Sequence, residues 1–168
     1  MRNIEIKAKV SDIEELRSKV KILSKSEGTI IKQNDTFYVS SKGRLKLRRF
    51  ENGDAELIFY DRPDTEGPKL SSYEKSSITS DSVSSLDAVL SQALGVNGIV
   101  KKTRHLFLVG QTRVHIDQVE NLGDFMELEV VLNEDQSVEE GQEIAMSLMK
   151  SLGIEESDLL SGAYKDLM

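Results

Sequence analysis

Asn3-Ile4-Glu5-Ile6-Lys7-Ala8-Lys9-Val10 alternates between two kinds of residue with a period of two. Read as a β-strand, it places Ile4, Ile6, Ala8 and Val10 on one face and Asn3, Glu5, Lys7 and Lys9 on the other. One such strand describes a half-buried sheet with a solvated polar face. Repetition of the pattern changes the reading. Arg44, Lys46 and Arg48 alternate with Leu45 and Leu47; Lys102 and Arg104 alternate ahead of Phe107; Arg113, His115 and Asp117 alternate with Val114 and Ile116; Glu127 and Glu129 alternate with Met126, Leu128 and Val130. Each of these strands carries charge on one face and apolar groups on the other, which is the pattern of a barrel with a polar lumen.

The rest of the chain supplies what would cover the apolar faces. Ser11 and Glu14 have capping-box spacing ahead of Ile13, Leu16, Val20 and Leu23, which predicts a helix over about 12–25. A second helix is expected over 82–94, with Leu86, Val89, Leu90 and Ala93 inward and Gly95 as its stop. Ser137 and Glu140 open a third, which Gly153 ends. Further strands are expected over 28–39, 55–61 and 69–78, with Asn52-Gly53 as a two-residue hairpin. The segment Asp61–Pro68 holds both prolines and reads as a mobile connection at one mouth of the barrel. The fold class is therefore α+β: a single domain over 1–168 in which helices flank the outer faces of an antiparallel barrel whose charged faces turn inward.

Bulk composition narrows the function. The net charge of −7 argues against a nucleic-acid polymer as partner. Without cysteine there is no disulfide, thiolate metal site or thiol nucleophile. No apolar run approaches the roughly 18 residues of a membrane helix, so the expectation is a cytoplasmic protein with no membrane partner.

An enclosed face bearing Lys7, Lys9, Arg44, Lys46, Arg48, Lys102, Arg104 and Arg113 cannot stay dry and empty, because burying an unpaired charge costs several kcal/mol. A phosphate chain suits this set, since guanidinium groups grip phosphate oxygens in pairs. His115 shares the charged parity and is a candidate for a further phosphate contact, whereas His105 falls on the apolar parity and reads as structural. Carboxylates beside a polyanion need a cation between them. Glu5, Glu127 and Glu129, with Asp117, offer hard oxygen ligands for Mg²⁺ or Mn²⁺. The reaction class that follows is displacement at phosphorus.

At these residues the chain resembles the CYTH family, the triphosphate tunnel metalloenzymes that include class IV adenylyl cyclases and thiamine triphosphatases. The family's Glu-x-Glu-x-Lys strand appears as Asn3-Ile4-Glu5-Ile6-Lys7, with Asn in place of the first Glu. Asp35-Thr36-Phe37, Leu45-Lys46-Leu47-Arg48, Lys102-Thr103-Arg104, Arg113–Asp117, Glu127-Leu128-Glu129 and Tyr164-Lys165-Asp166-Leu167 extend the similarity over nearly the whole chain. The resemblance implies an eight-stranded tunnel, a divalent cation and a small substrate bearing a triphosphate. By analogy with the family a homodimer is open. Phe37 after Thr36, and a strand 55–61 without lysine, argue against specialised thiamine triphosphatase activity. Three readings stand: a phosphohydrolase with Glu5 and Lys7 in catalytic roles, an adenylyl cyclase, and a polyphosphate- or nucleotide-binding module without catalysis.

Overall fold

The computed structural model describes residues 1–167. Eight antiparallel strands close into a barrel: β1 (Arg2–Lys9), β2 (Thr29–Tyr38), β3 (Arg44–Phe50), β4 (Ala55–Asp61), β5 (Lys69–Ile78), β6 (Val96–Val109), β7 (Thr112–Val119) and β8 (Gly123–Val131). Around the barrel the order is β1-β5-β4-β3-β2-β6-β7-β8, so the N-terminal strand closes the sheet between β5 and β8. Three helices flank it: α1 (Ile13–Ser24), α2 (Ser80–Leu94) and α3 (Val138–Ser151).

The hydrophobic core lies outside the barrel wall. Ile4, Ile6 and Ala8 of β1 are fully buried against Leu16 and Val20 of α1 and Ala145 and Met149 of α3, together with the outward residues of β7 and β8. A smaller cluster packs Val83, Leu86 and Leu90 of α2 onto Tyr38, Leu47 and Leu57. Apolar residues that face out of the barrel toward the helices leave the opposite parity, the charged one, for the lumen.

Gly141 sets how closely α3 approaches β1. A Cβ there would sit 2.6 Å from both Ile4 Cγ1 and Leu132 Cδ2. Gly141→Ala adds helix propensity worth ~1 kcal/mol, but overpacking costs about 1–3 kcal/mol. We expect a net loss of stability, read as a lower urea midpoint; a rise would mean that the α3–β1 interface is free to open.

Local details differ from the sequence reading. Asp12, one residue later than expected, caps α1, its side chain accepting from Glu15 N–H at 3.1 Å. Ser137 caps α3 as expected, accepting from Glu140 N–H. The β3–β4 connection is the longer loop Glu51-Asn52-Gly53, closed by Phe50 N–H donating to Asp54 C=O at 2.9 Å, with Gly53 at φ +95°. A positive φ at the last loop position is the geometry of a three-residue hairpin, which glycine supplies without strain.

The tail folds back over one end of the barrel. Leu159 forms a bridge with Ala8, Leu160 N–H donates to Lys7 C=O, and a 3₁₀ turn over Tyr164–Leu167 follows. Tyr164 and Ala163 pack there with Phe37, Val100 and Phe125.

Candidate active site

The lumen is a cavity of about 280 Å³. Its walls are chemically unequal. One wall is cationic and built on a single buried carboxylate. Asp35, 0 % exposed on β2, accepts two hydrogen bonds from Arg48 at 2.9 and 2.8 Å and one from Lys102 at 3.0 Å, with Lys46 Nζ at 3.4 Å. Burial alone would raise the Asp35 pKa, but Arg48, Lys102 and Lys46 more than offset it and hold the carboxyl well below its usual range. One anion thus serves several cations, and the wall keeps a net positive charge. Burial, reinforced by Arg48, pushes Lys46 down to about 7.

Arg104 is held in the same way from behind. Asp117 accepts from its Nε and its terminal nitrogen, both at 2.8 Å, and from the Tyr164 hydroxyl at 2.8 Å. Both buried aspartates therefore orient guanidinium groups toward the lumen, the preorganisation that recognition of phosphate oxygens requires.

The other wall is carboxylate-rich. The register places Glu5 opposite Glu129, and Lys7 opposite Glu127, across the β1–β8 pair. Burial, then the nearby Glu129 charge, pushes Glu5 up to about 7. Glu127 goes the other way: against the effect of burial, Lys7 and then Arg104 hold it well below the usual carboxylate range. Burial brings Lys7 down to about 8 and, with Arg104, His115 down to about 4, so the imidazole is neutral. Arg62 Nη1 lies 3.1 Å from Glu5 Oε2 and partly offsets the crowding. A buried cluster in which one carboxyl is driven toward its neutral form by desolvation and then by a neighbouring carboxylate fits a divalent cation, whose charge would offset both.

Of the residues expected to bind substrate or metal, Glu5, Lys7, Lys46, Arg48, Lys102 and Arg104 line the cavity, as do Arg113, His115, Glu127 and Glu129. The structure sets three apart. Asp117 is committed to Arg104 and Tyr164 beneath the lumen surface and does not join the carboxylate cluster. Lys9 has lumen parity but is exposed beyond the tail, paired in register with Phe125. Arg44 pairs with Asp64 at 3.1 Å and Asp166 at 2.8 Å, tying the tail to the β4–β5 loop.

Sequence reasoning overlooked Arg62 and the anchoring role of Asp35. Arg62 lies in the segment taken as a mobile connection, yet it continues the alternation Glu56, Ile58, Tyr60 past the strand end into the lumen, and its side chain is 5 % exposed. The alternation was the available signal. Arg62 also donates to Gly162 C=O at 2.8 Å, and Lys7 does so at 2.9 Å, so the tail carbonyl occupies donors that face the cavity.

A family model described as the CYTH domain matches residues 1–164. The chain belongs to the CYTH domain family. Solved structures share the fold. The PH1012 protein of Pyrococcus horikoshii superposes with a TM-score of 0.83 at 23 % identity, over 99 % of each chain. A candidate adenylate cyclase from Vibrio parahaemolyticus gives 0.76 at 20 % identity, over 98 % of this chain and 96 % of that one. HpAC1 from Hippeastrum, a candidate adenylyl cyclase with a dominant triphosphatase activity, gives 0.68 at 18 % identity, over 98 % and 93 %. No curated protein sequence matches the chain. At these identities the likeness carries the barrel, and the chemistry rests on this chain's own side chains. Among the described residues, no helix is long and apolar enough to cross a membrane.

Proposed function

We propose that this CYTH protein hydrolyses the terminal phosphate of a small molecule bearing a triphosphate, with the phosphate chain lying in the lumen and a divalent cation, Mg²⁺ or Mn²⁺, held by Glu5, Glu127 and Glu129. The observation that carries this is the division of one enclosed lumen into a cationic wall set on Asp35 and a carboxylate wall that brings Glu5, Glu127 and Glu129 together. Lys46, Arg48, Lys102 and Arg104 grip non-bridging oxygens, and Arg62 and Arg113 extend the set. When bound, the cation neutralises phosphate charge and lowers the pKa of a bound water. Lys7, brought down to about 8 by burial, serves as a phosphate clamp in its charged form or, in its neutral form, as the acceptor for the proton of the attacking water. The triphosphatase activity of HpAC1 favours hydrolysis.

Cyclisation of ATP is the alternative. It is favoured by the cavity end away from the tail, where Ile31, Phe50, Tyr73 and Leu106 offer apolar contact to an organic group. Phosphate release from tripolyphosphate, ATP and thiamine triphosphate, measured with Mg²⁺, Mn²⁺ or EDTA and with product chromatography, separates these readings. Metal-dependent phosphate release supports hydrolysis. Cyclic AMP with pyrophosphate replaces it by cyclisation, and binding without turnover under any cation leaves a receptor.

The pKa of Lys46 gives a binding signature. A bound polyanion restores its charge, so at pH 8 the binding of tripolyphosphate should be accompanied by proton uptake to which Lys46 contributes, and affinity should fall as pH rises past 7. Calorimetry in buffers of differing ionisation enthalpy reads this directly. Lys46→Gln should reduce the uptake; unchanged uptake would take Lys46 out of the phosphate site.

A further inference from the structure

The carboxylate wall contains one imidazole. His115 lies opposite Glu127 in the β7–β8 register, and Glu129 follows on the same face of β8. One donor atom from each of the three lies within 4.8 Å of the others. With bonds of about 2.1 Å, trans donors of an octahedral ion stand about 4.2 Å apart. Small side-chain rotations therefore close the three around one cation.

A further observation points to a ligand here. His115 is 4 % exposed, and its Nε2 stands 3.3 Å from Glu129 Oε1. Asn3 is 3 % exposed and lines the same cavity. Its Nδ2 reaches Glu129 Oε2 at 3.5 Å, which leaves its Oδ1 buried and unpartnered. Buried polar atoms ordinarily have partners, and an unpartnered buried oxygen on the residue beside Glu129 marks a place where something else binds.

We propose that His115 Nε2, Glu127 and Glu129, with Asn3 Oδ1 as a neutral oxygen donor, form a mixed nitrogen–oxygen centre that selects a first-row transition ion over Mg²⁺. The proposal rests on the reading of the lumen as a divalent-cation site and specifies which cation it takes. Carboxylate, carbonyl and water ligands suit Mg²⁺ and Mn²⁺, whereas imidazole suits the later first-row ions, and affinity rises along the row from Mn²⁺ toward Cu²⁺. Asn3 in place of a carboxylate lowers the charge of the donor set. That weakens a purely electrostatic hold on Mg²⁺ more than it weakens an ion that gains from nitrogen donation.

The test uses tag-free protein without substrate. Pulsed electron paramagnetic resonance on bound Mn²⁺ should show nitrogen coupling from one imidazole. The assignment is simple because the chain has only two histidines, and the ring of His105 lies outside the lumen beside Glu27 C=O and Arg17 Nε. Co²⁺, followed by its visible absorption, should be displaced by Mg²⁺ only at large excess. Loss of an outer-shell partner already costs a metal site about 10–100-fold in affinity; His115→Gln should cost Co²⁺ at least that much while Mg²⁺ affinity, read by calorimetry, stays close to its original value. Mg²⁺ binding as tight as Co²⁺, with no nitrogen coupling in the unmodified protein, would overturn the selective centre and leave metal-dependent hydrolysis standing. Failure to bind any divalent cation would overturn both.

Discussion

Replacing Glu127 with Gln is expected to abolish metal-dependent phosphate release, lowering turnover by at least about 10²–10³-fold, the range for removing one group that stabilises transition-state charge. Glu127 stands between the two walls. It faces Lys7 and His115 across its strand pairs, and Arg104 Nη2 lies 3.5 Å from its Oε1. Lys7 and Arg104 keep it ionised despite its burial, so it presents full negative charge to a cation while Glu5 is pushed toward neutrality. Gln preserves the shape and removes the charge. Tripolyphosphate binding in EDTA should survive, because the cationic wall is untouched and one repelling group is gone. Full turnover in Glu127→Gln, or in EDTA, would remove the carboxylates from the mechanism.

Asp35→Asn should be the most destabilising single change in the lumen. It leaves Arg48, Lys102 and Lys46 facing one another around a neutral amide, and breaking a buried pair by removing one partner costs about 3–5 kcal/mol. The loss is read from the urea midpoint. The same group predicts a pH dependence. The folded-state pKa of Asp35 lies well below that of the unfolded chain, so its contribution is complete above the ordinary aspartate pKa of about 3.9 and is lost as pH falls from there through the folded value. The Asn variant should lack that part of the acid transition. Tripolyphosphate should restore part of the lost stability by supplying another anion to the same cations. An Asn variant as stable as the parent would mean that water already screens the wall.

The barrel was legible because its period is unambiguous. Ile4, Ile6 and Ala8 against Asn3, Glu5 and Lys7 can face only one way once helices cover the apolar side, and the same parity then places Lys46, Arg48, Lys102, Arg104, Glu127 and Glu129 in the lumen. Parity says which face a residue takes but nothing about height along the barrel. Lys9 shares the face of Lys7, yet lies past the point where Phe125 and Tyr164 close the end. Asp117 shares the face of His115, yet its partner across β6–β7 is Arg104, which takes both its oxygens.

Alternation along each strand settles the composition of the lumen, because side-chain direction is a local property of extended backbone. Pairing among those side chains is not local. Asp35 meets Lys102 across 67 positions of chain, Lys7 meets Gly162 across 155, and Tyr164 meets Asp117 across 47. Strand register and the return of the tail bring these groups within hydrogen-bond distance. Those contacts separate the carboxylates left to crowd one another from the ones already spent on orienting a cation.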